Sequence, residues 1–356
     1  MARKNDIFAV IDAIADNATY EGTGAADTIT STFNNNTLNG GGGGDTITTT
    51  LTNRLDDLFV YQNGQLGADI MSAAVNAGAR YLGSVLDGGV GNDRITTNTT
   101  LGNSFSDTLL ESYAVGGDGA DTISMTAALN GGGNLWQEAY AGTGADTITM
   151  NASTTGAVGT VAYNYVEAGA GIDEVTATIQ GAPGSTVYNE IYGGDASPLN
   201  FGTDDTLTGI VIGTNGSSFL YGMSGNDVLR ATGGTDNELY GMDGNDTLNG
   251  STGVDYFVGG AGVDTFVLGS GGVDVIVDFE TGLLGTFIGA DILAFEDGVD
   301  VSLLDVVIGG DGLLEVQLAG NTLVQLAGTD TSLLGQVEFL LGLLGVGSAG
   351  SGEVPA

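Results

Sequence analysis

The chain has 356 residues, 44 of them Asp or Glu and only 6 Lys or Arg, a formal charge of −38 at pH 7, yet 42% of it is hydrophobic. One lysine and five arginines cannot build a phosphate-binding surface, which excludes nucleic acid and an anionic membrane surface as partners. Cysteine and histidine are absent, which excludes disulfides, zinc or iron–sulfur ligation and imidazole-assisted nucleophiles, and leaves hard, oxygen-seeking cations as the natural counter-charge.

The apolar content supports a sizeable core, but self-repulsion opposes compaction unless cations neutralise it. In chain order the first segment is "MARKNDIFAVIDAIADNATY". Ile7, Phe8, Val10, Ile11 and Ile14 lie at helical spacing, which predicts a short amphipathic helix over residues 5–16 within an amino-terminal cap, residues 1–20. Lys4, Asp6, Asp12 and Asp16 break the apolar run, so the segment lacks the h-region of a cleavable signal. No apolar window reaches the length of a transmembrane segment.

Residues 21–278 repeat one motif: a glycine-rich hexamer ending in aspartate, with a large apolar residue two positions later. It begins at Asp27, which carries one extra residue, and continues through Gly41, Gly43 and Asp45 to a degenerate copy at Asp69. Next come Gly89, Gly91 and Asp93; Gly117, Gly119 and Asp121; Gly142, Gly144 and Asp146; and Gly169, Gly171 and Asp173. An interrupted copy at Asp205 precedes Gly225 with Asp227, Gly244 with Asp246, Gly253 with Asp255, Gly260 and Gly262 with Asp264, and finally Asp274. Glycines let backbone carbonyls converge, and the aspartate adds charged oxygen; six to eight oxygens make a calcium site. One turn cannot fill that shell alone.

After each aspartate the chain alternates polar and apolar, as a half-buried strand does. Ile29, Ile47, Ile95, Ile123, Ile148, Val175, Leu207, Leu229, Leu248, Phe257, Phe266 and Ile276 are the expected inward stack. Thr28 and Thr30, Thr46 and Thr48, Thr147 and Thr149, Thr176 and Thr178, and Thr206 and Thr208 flank it as expected outward ranks. Successive motif aspartates from Asp27 to Asp246 lie 18 to 32 residues apart, and those from Asp246 to Asp274 only 9 or 10. Each long interval therefore reads as a full coil with an aspartate turn on one side and a variable turn on the other, such as Asn130 to Asn134. Near the carboxyl end both sides become aspartate turns, with Asp246 and Asp264 on one side and Asp255 and Asp274 on the other. Tyr192, Tyr221 and Tyr240 recur just before their hexamers as an expected ring ladder.

Gly88-Gly89-Val90-Gly91-Asn92-Asp93, Gly116-Gly117-Asp118-Gly119-Ala120-Asp121 and Gly259-Gly260-Ala261-Gly262-Val263-Asp264 resemble the nonapeptide of the repeats-in-toxin (RTX) family, G-G-x-G-x-D-x-U-x. The resemblance implies an all-β fold, a parallel β-roll or β-solenoid whose stacked turns hold multiple calcium ions (Ca2+). Residues 279–356 resemble the carboxyl-terminal cap and type I secretion region of such proteins, at Val275–Phe279 and Ala290–Phe295. The expectation is a secreted, extracellular or cell-surface structural protein. Its partners would be the type I secretion machinery and copies of itself, joined in a surface layer, filament or matrix.

Three other readings compete. The threonine ranks resemble ice-binding faces on solenoids, and an adhesin stalk would use the same scaffold. The acid pairs Asp56-Asp57 and Asp204-Asp205, with Arg54, Arg80 and Arg94, would suit a polysaccharide lyase, but adjacent strand residues point to opposite faces, so the expectation is no catalytic role. The glycines at 40–44 lack the lysine of a phosphate loop and fit the repeat. Trp136 is expected to pack rather than to bind sugar.

Overall fold

The structure is a computed structural model that describes residues 10–12, 15–54, 57–102, 107–155, 159–194, 203–213, 215–269, 271–280, 291–296 and 303–327. Two long sheets face each other, a 13-stranded sheet A and a 15-stranded sheet B; they are parallel, and the chain visits them alternately, except for the last three strands of sheet B. Up to Asp246 the glycine–aspartate turn carries the chain from sheet B to sheet A and the variable turn carries it back; in the last coils the turns at Asp255 and Asp274 carry it from A to B as well. The fold is the expected all-β parallel solenoid.

Alternation along each strand sends every second residue inward. In sheet A this aligns Ile29, Ile47, Met71, Ile95, Ile123, Ile148, Val175, Leu207, Leu229, Leu248 and Phe266 in one column. Sheet B answers with Leu86, Ala114, Ala139, Val166, Ile191, Leu220, Leu239, Phe257 and Ile276. All of these side chains are buried. Phe257 and Phe266 meet edge to face across the two sheets, with centroids 6.0 Å apart. Because coils stack in register, lengthening a variable turn leaves the columns undisturbed. On the outer face of sheet B the tyrosine ladder forms, with Tyr192–Tyr221 and Tyr221–Tyr240 stacked at 4.6 and 4.9 Å.

Both ends differ from expectation. Val10–Asp12 is not helical; it is a strand paired in parallel with Thr28–Thr30. The β-branched Val10 and Ile11 suit a strand, and the edge of the first full coil offers hydrogen-bonding partners that an isolated helix would lack. Residues 1–9 and 13–14 lie outside the described residues. At the other end the solenoid runs past residue 278, since Ile292–Phe295 is the last strand of sheet A. Beyond it, Leu304–Ile308, Leu314–Leu318 and Asn321–Leu326 form an antiparallel meander that joins sheet B through Asp274–Ile276. Leu304, Val306, Leu314, Val316, Val324 and Leu326 cover that end of the core. The expected secretion signal, at the end of the chain, lies outside the described residues.

Candidate metal centre

The motif aspartates stack into a single buried ladder at the B-to-A turns. The backbone N–H of each donates to Oδ1 of the aspartate one coil later, from Asp27 to Asp45 at 2.7 Å, Asp45 to Asp69 at 2.6 Å and Asp69 to Asp93 at 2.7 Å. The same bond continues through Asp121, Asp146, Asp173, Asp205, Asp227, Asp246 and Asp264 at 2.7–2.9 Å. It ends on Asp291, which the spacing does not single out, at 3.0 Å. "FIGAD" before Asp291 lacks the paired glycines, and its backbone partner is Glu280, whose N–H donates to Asp291 Oδ2 at 2.7 Å.

The second carboxylate oxygen behaves differently. Oδ2 of Asp45, Asp69, Asp93, Asp121, Asp146, Asp173, Asp205, Asp227 and Asp246 is buried and receives no hydrogen bond. An unpaired buried carboxylate oxygen demands a proton or a cation. Near seven of them lies a backbone carbonyl, an acceptor and not a donor: a Cβ built on Gly64 would lie 2.3 Å from Asp69 Oδ2 and 2.6 Å from the Gly88 carbonyl, and one on Gly116 would lie 2.4 Å from both Asp121 Oδ2 and the Ala141 carbonyl. The equivalent positions beside Asp146 and Asp173 are Ala141 and Ala168, so those two turns are more crowded. The outer glycines bring the carbonyls of adjacent turns together. Gly91 and Gly119 have φ of 148° and 134°, and a Cβ on Gly119 would sit 1.7 Å from the Gly91 oxygen. The second glycine of the motif is less strict, since Gln65, Met223 and Met242 occupy that column at φ 73–79°.

Burial pushes these carboxyls upward in pKa. Asp69 and Asp121 reach about 7, Asp205 about 8 and Asp227 about 7, desolvation acting first and neighbouring aspartates adding to it, against the lowering effect of the backbone N–H. Asp173 and Asp246 rise to about 6 for the same reasons.

The opposite edge carries the second, shorter site. Asp255 N–H donates to Asp274 Oδ1 at 3.0 Å, and Asn237 Nδ2 donates to Asp255 Oδ1 at 2.7 Å. Burial lifts Asp274 to about 8. Asp246 with Asp264 and Asp255 with Asp274 thus lie on the two sides that the spacing assigns. Sequence reasoning misses the row these two join. Ser84, Ser112, Gln137, Asn164, Asn189, Ser218 and Asn237 occupy the same inward column of sheet B in the preceding coils, all buried. One polar residue per coil is indistinguishable in sequence from loop polarity.

The remaining candidates fall outside the ladders. Asp204 is exposed and accepts from the Asn226 N–H at 2.8 Å, while its neighbour Asp205 points inward. Arg80 makes an exposed ion pair with Asp107 at 3.0 Å. Asp56 and the Arg54 side chain lie outside the described residues.

The donor set fits calcium. All ligating atoms on offer are oxygens, and the orphaned carboxylate oxygens form a continuous row. Among the described residues no three carboxylates converge on one point, so backbone carbonyls must complete each shell. Asp27, Asp45, Asp69, Asp93, Asp121, Asp146, Asp173, Asp205, Asp227, Asp246 and Asp264, with the turn carbonyls, would hold the ions along one edge, and Asp255 with Asp274 along the other. A bound ion would supply the positive charge the row lacks.

The RTX calcium-binding nonapeptide repeat, as a family model, matches four times, at residues 16–51, 210–238, 231–266 and 240–276. No curated protein sequence matches the chain. The middle coils, between residues 52 and 209, escape the family model yet continue the same aspartate ladder without a break.

Proposed function

From the RTX calcium-binding repeats that the chain carries, we propose a secreted structural protein that folds on binding extracellular calcium and then assembles with copies of itself into a layer, filament or matrix. The observation that carries the reading is the row of buried, unpartnered Oδ2 atoms in a chain of charge −38. Where free calcium is scarce, as in a cytosol, the ladder repels itself and the chain stays expanded enough to be threaded through an export channel. Outside, calcium binds only the stacked state and pulls folding forward. Among the described residues no helix is long and apolar enough to cross a membrane. A type I route, with its signal near the carboxyl end, suits such a chain.

Assembly is supported by the two unlike ends of the solenoid, since the amino-terminal strands Val10–Asp12 and Thr19–Glu21 of one copy could meet the carboxyl-terminal meander of the next head to tail. Negative-stain microscopy with calcium should show fibres or sheets that dissolve in chelator, and light scattering that gives a monomer at every calcium concentration would remove the assembly half. Far-UV circular dichroism tests the calcium half separately. EDTA at pH 8 should weaken the β signal and lower the melting temperature, and an unchanged melting temperature would overturn it.

A second reading is favoured by one specific alignment. Thr30, Thr48, Ser72, Thr96, Ser124, Thr149, Thr176 and Thr208 form an unbroken hydroxyl rank on the outer face of sheet A. Such a rank is the requirement for ice binding, which thermal hysteresis measures directly. The parallel ranks are interrupted by Ile70, Arg94 and Glu174, which is why structural assembly stands first.

A further inference from the structure

The outer face of sheet B holds an arrangement that calcium binding does not use. Phe59, Gly83, Glu111 and Trp136 lie side by side on four successive strands, Leu58–Leu66, Tyr81–Val90, Thr108–Asp118 and Gly133–Thr143. Tyr113 and Glu138 form the adjacent pair two residues along. Gly83 contributes no side chain, and the gap is a cleft of about 360 Å³ walled by Phe59, Tyr81, Glu111, Tyr113, Trp136 and Glu138. The rings lean over the gap: a Cβ on Gly83 would meet the Tyr81 hydroxyl at 2.6 Å and the Phe59 ring at 3.0 Å. Trp136 is 42% exposed and Phe59 38%, so the wall rings are presented to solvent and not packed in the core, contrary to the expectation for Trp136.

The polar chemistry of the cleft is one-sided. Tyr81 Oη donates to Glu111 at 3.0 Å, and in the floor Ser84 Oγ donates to Ser112 Oγ at 3.0 Å, so these donors are engaged. Tyr140, outside the cleft, donates to Glu138 at 3.2 Å. Among the described residues no Lys, Arg, Asn or Gln lines the wall. What is on offer is aromatic faces and carboxylate lone pairs. Anions are repelled, and a neutral sugar would find the two carboxylates but, apart from the Tyr113 hydroxyl and the Trp136 indole N–H, no donor left to bond it. A cation with apolar surface gains from both the ring quadrupoles and the carboxylates.

We propose that this cleft binds an organic cation, a quaternary ammonium or a guanidinium, with Trp136, Tyr113, Tyr81 and Phe59 as the cage and Glu111 and Glu138 as its counter-charges. Trp136 is the only tryptophan in the chain, so its fluorescence reports on the site alone. The calcium-saturated full chain should show a saturable fluorescence change with tetramethylammonium chloride or with N-acetylarginine amide. Saturation by the first alone identifies a free ammonium ligand, and by the second alone a side chain of a basic partner; either supports the proposal. Sodium chloride at equal ionic strength and neutral 2,2-dimethylpropanol should give no saturable change. Glu111→Gln combined with Glu138→Gln, which keeps the shape, should weaken binding at least tenfold, and Gly83→Val should abolish it. Circular dichroism in calcium checks the fold of each variant, and the glutamine pair suffices should Gly83→Val misfold. No saturation by either cation, an equal response to the neutral alcohol, or unchanged affinity in the glutamine pair would overturn the proposal.

Discussion

The two edges of this solenoid bury polar side chains in parallel columns but solve the problem in opposite ways. At the B-to-A edge every coil supplies an aspartate, and from Asp45 to Asp246 the oxygen left over from the ladder bond has no donor. At the A-to-B edge the wide middle coils use neutral groups, whose amide donors bond a neighbour or a backbone carbonyl: Asn164 Nδ2 donates to Asn189 Oδ1 at 3.0 Å and to the Thr178 carbonyl at 3.1 Å, and Asn189 Nδ2 to the Ile210 carbonyl at 3.1 Å, while the Gln137 amide and Asn164 Oδ1 are left unpaired but carry no charge. Only in the narrow terminal coils does that column change to Asp255 and Asp274. A carboxylate column needs a turn that brings carbonyls beside it, and a long variable turn cannot provide one. Charge therefore follows turn width.

The sharpest break of this contrast is to exchange the two solutions. Asn164→Asp places an unpaired charge at a fully buried position and should destabilise the chain by about 3–5 kcal/mol, a loss that calcium does not restore, read as the shift in thermal unfolding with and without the ion. Asn237→Asp, next to Asp255, should be damaging in chelator yet largely rescued by calcium, because the neighbouring turn is already of the ion-holding type. In the reverse exchange, Asp121→Asn keeps an oxygen for the Asp93 N–H and removes the unpaired charge. It should lower stability in calcium by about 1–3 kcal/mol and raise it in EDTA, so the two melting curves cross relative to the parent.

Proton uptake gives a smaller, graded version of the same test. In the calcium-free fold burial lifts the carboxyls of Asp69, Asp121 and Asp227 to about 7 and that of Asp205 to about 8, against about 4 for an unfolded aspartate. A raised folded pKa contributes stability that is complete at low pH and is lost as pH rises through the folded value. The melting temperature in EDTA should therefore rise as pH falls from about 8.5 to about 5.5. In limiting calcium the trend should reverse, because protons displace the ion. The smallest effect is expected at Gln65, whose φ of 73° suits glycine: Gln65→Gly should change stability by no more than about 1 kcal/mol in either direction.

Most of the aspartate edge is legible in the amino-acid sequence, because its signal repeats: Asp93, Asp121 and Asp146 recur with the same glycines and the same following isoleucine. The two-sided terminal coils are legible from spacing, which falls to nine or ten residues only where both turns hold aspartate. The amide column is not, because Gln137, Asn164 and Asn189 have no shared neighbours in sequence and are aligned only by pairing between coils. The amino-terminal strand escapes sequence reading because Val10 and Ile11 satisfy helical spacing as well as strand propensity, and the deciding term, an open sheet edge at Thr28–Thr30, is non-local. The exposure of Trp136 escapes it too, because a single tryptophan carries no periodicity to show which face it takes.

The ladder bond also has a direction. Each turn's amide is completed by the carboxylate of the winding that follows it, and the series closes on Asp291, itself held by the Glu280 amide. Shortening the stack from its amino-terminal end exposes only an acceptor, which water hydrates readily, whereas shortening it from the other end orphans a buried donor. The stack is thus anchored at its tail, and windings are better added to the head.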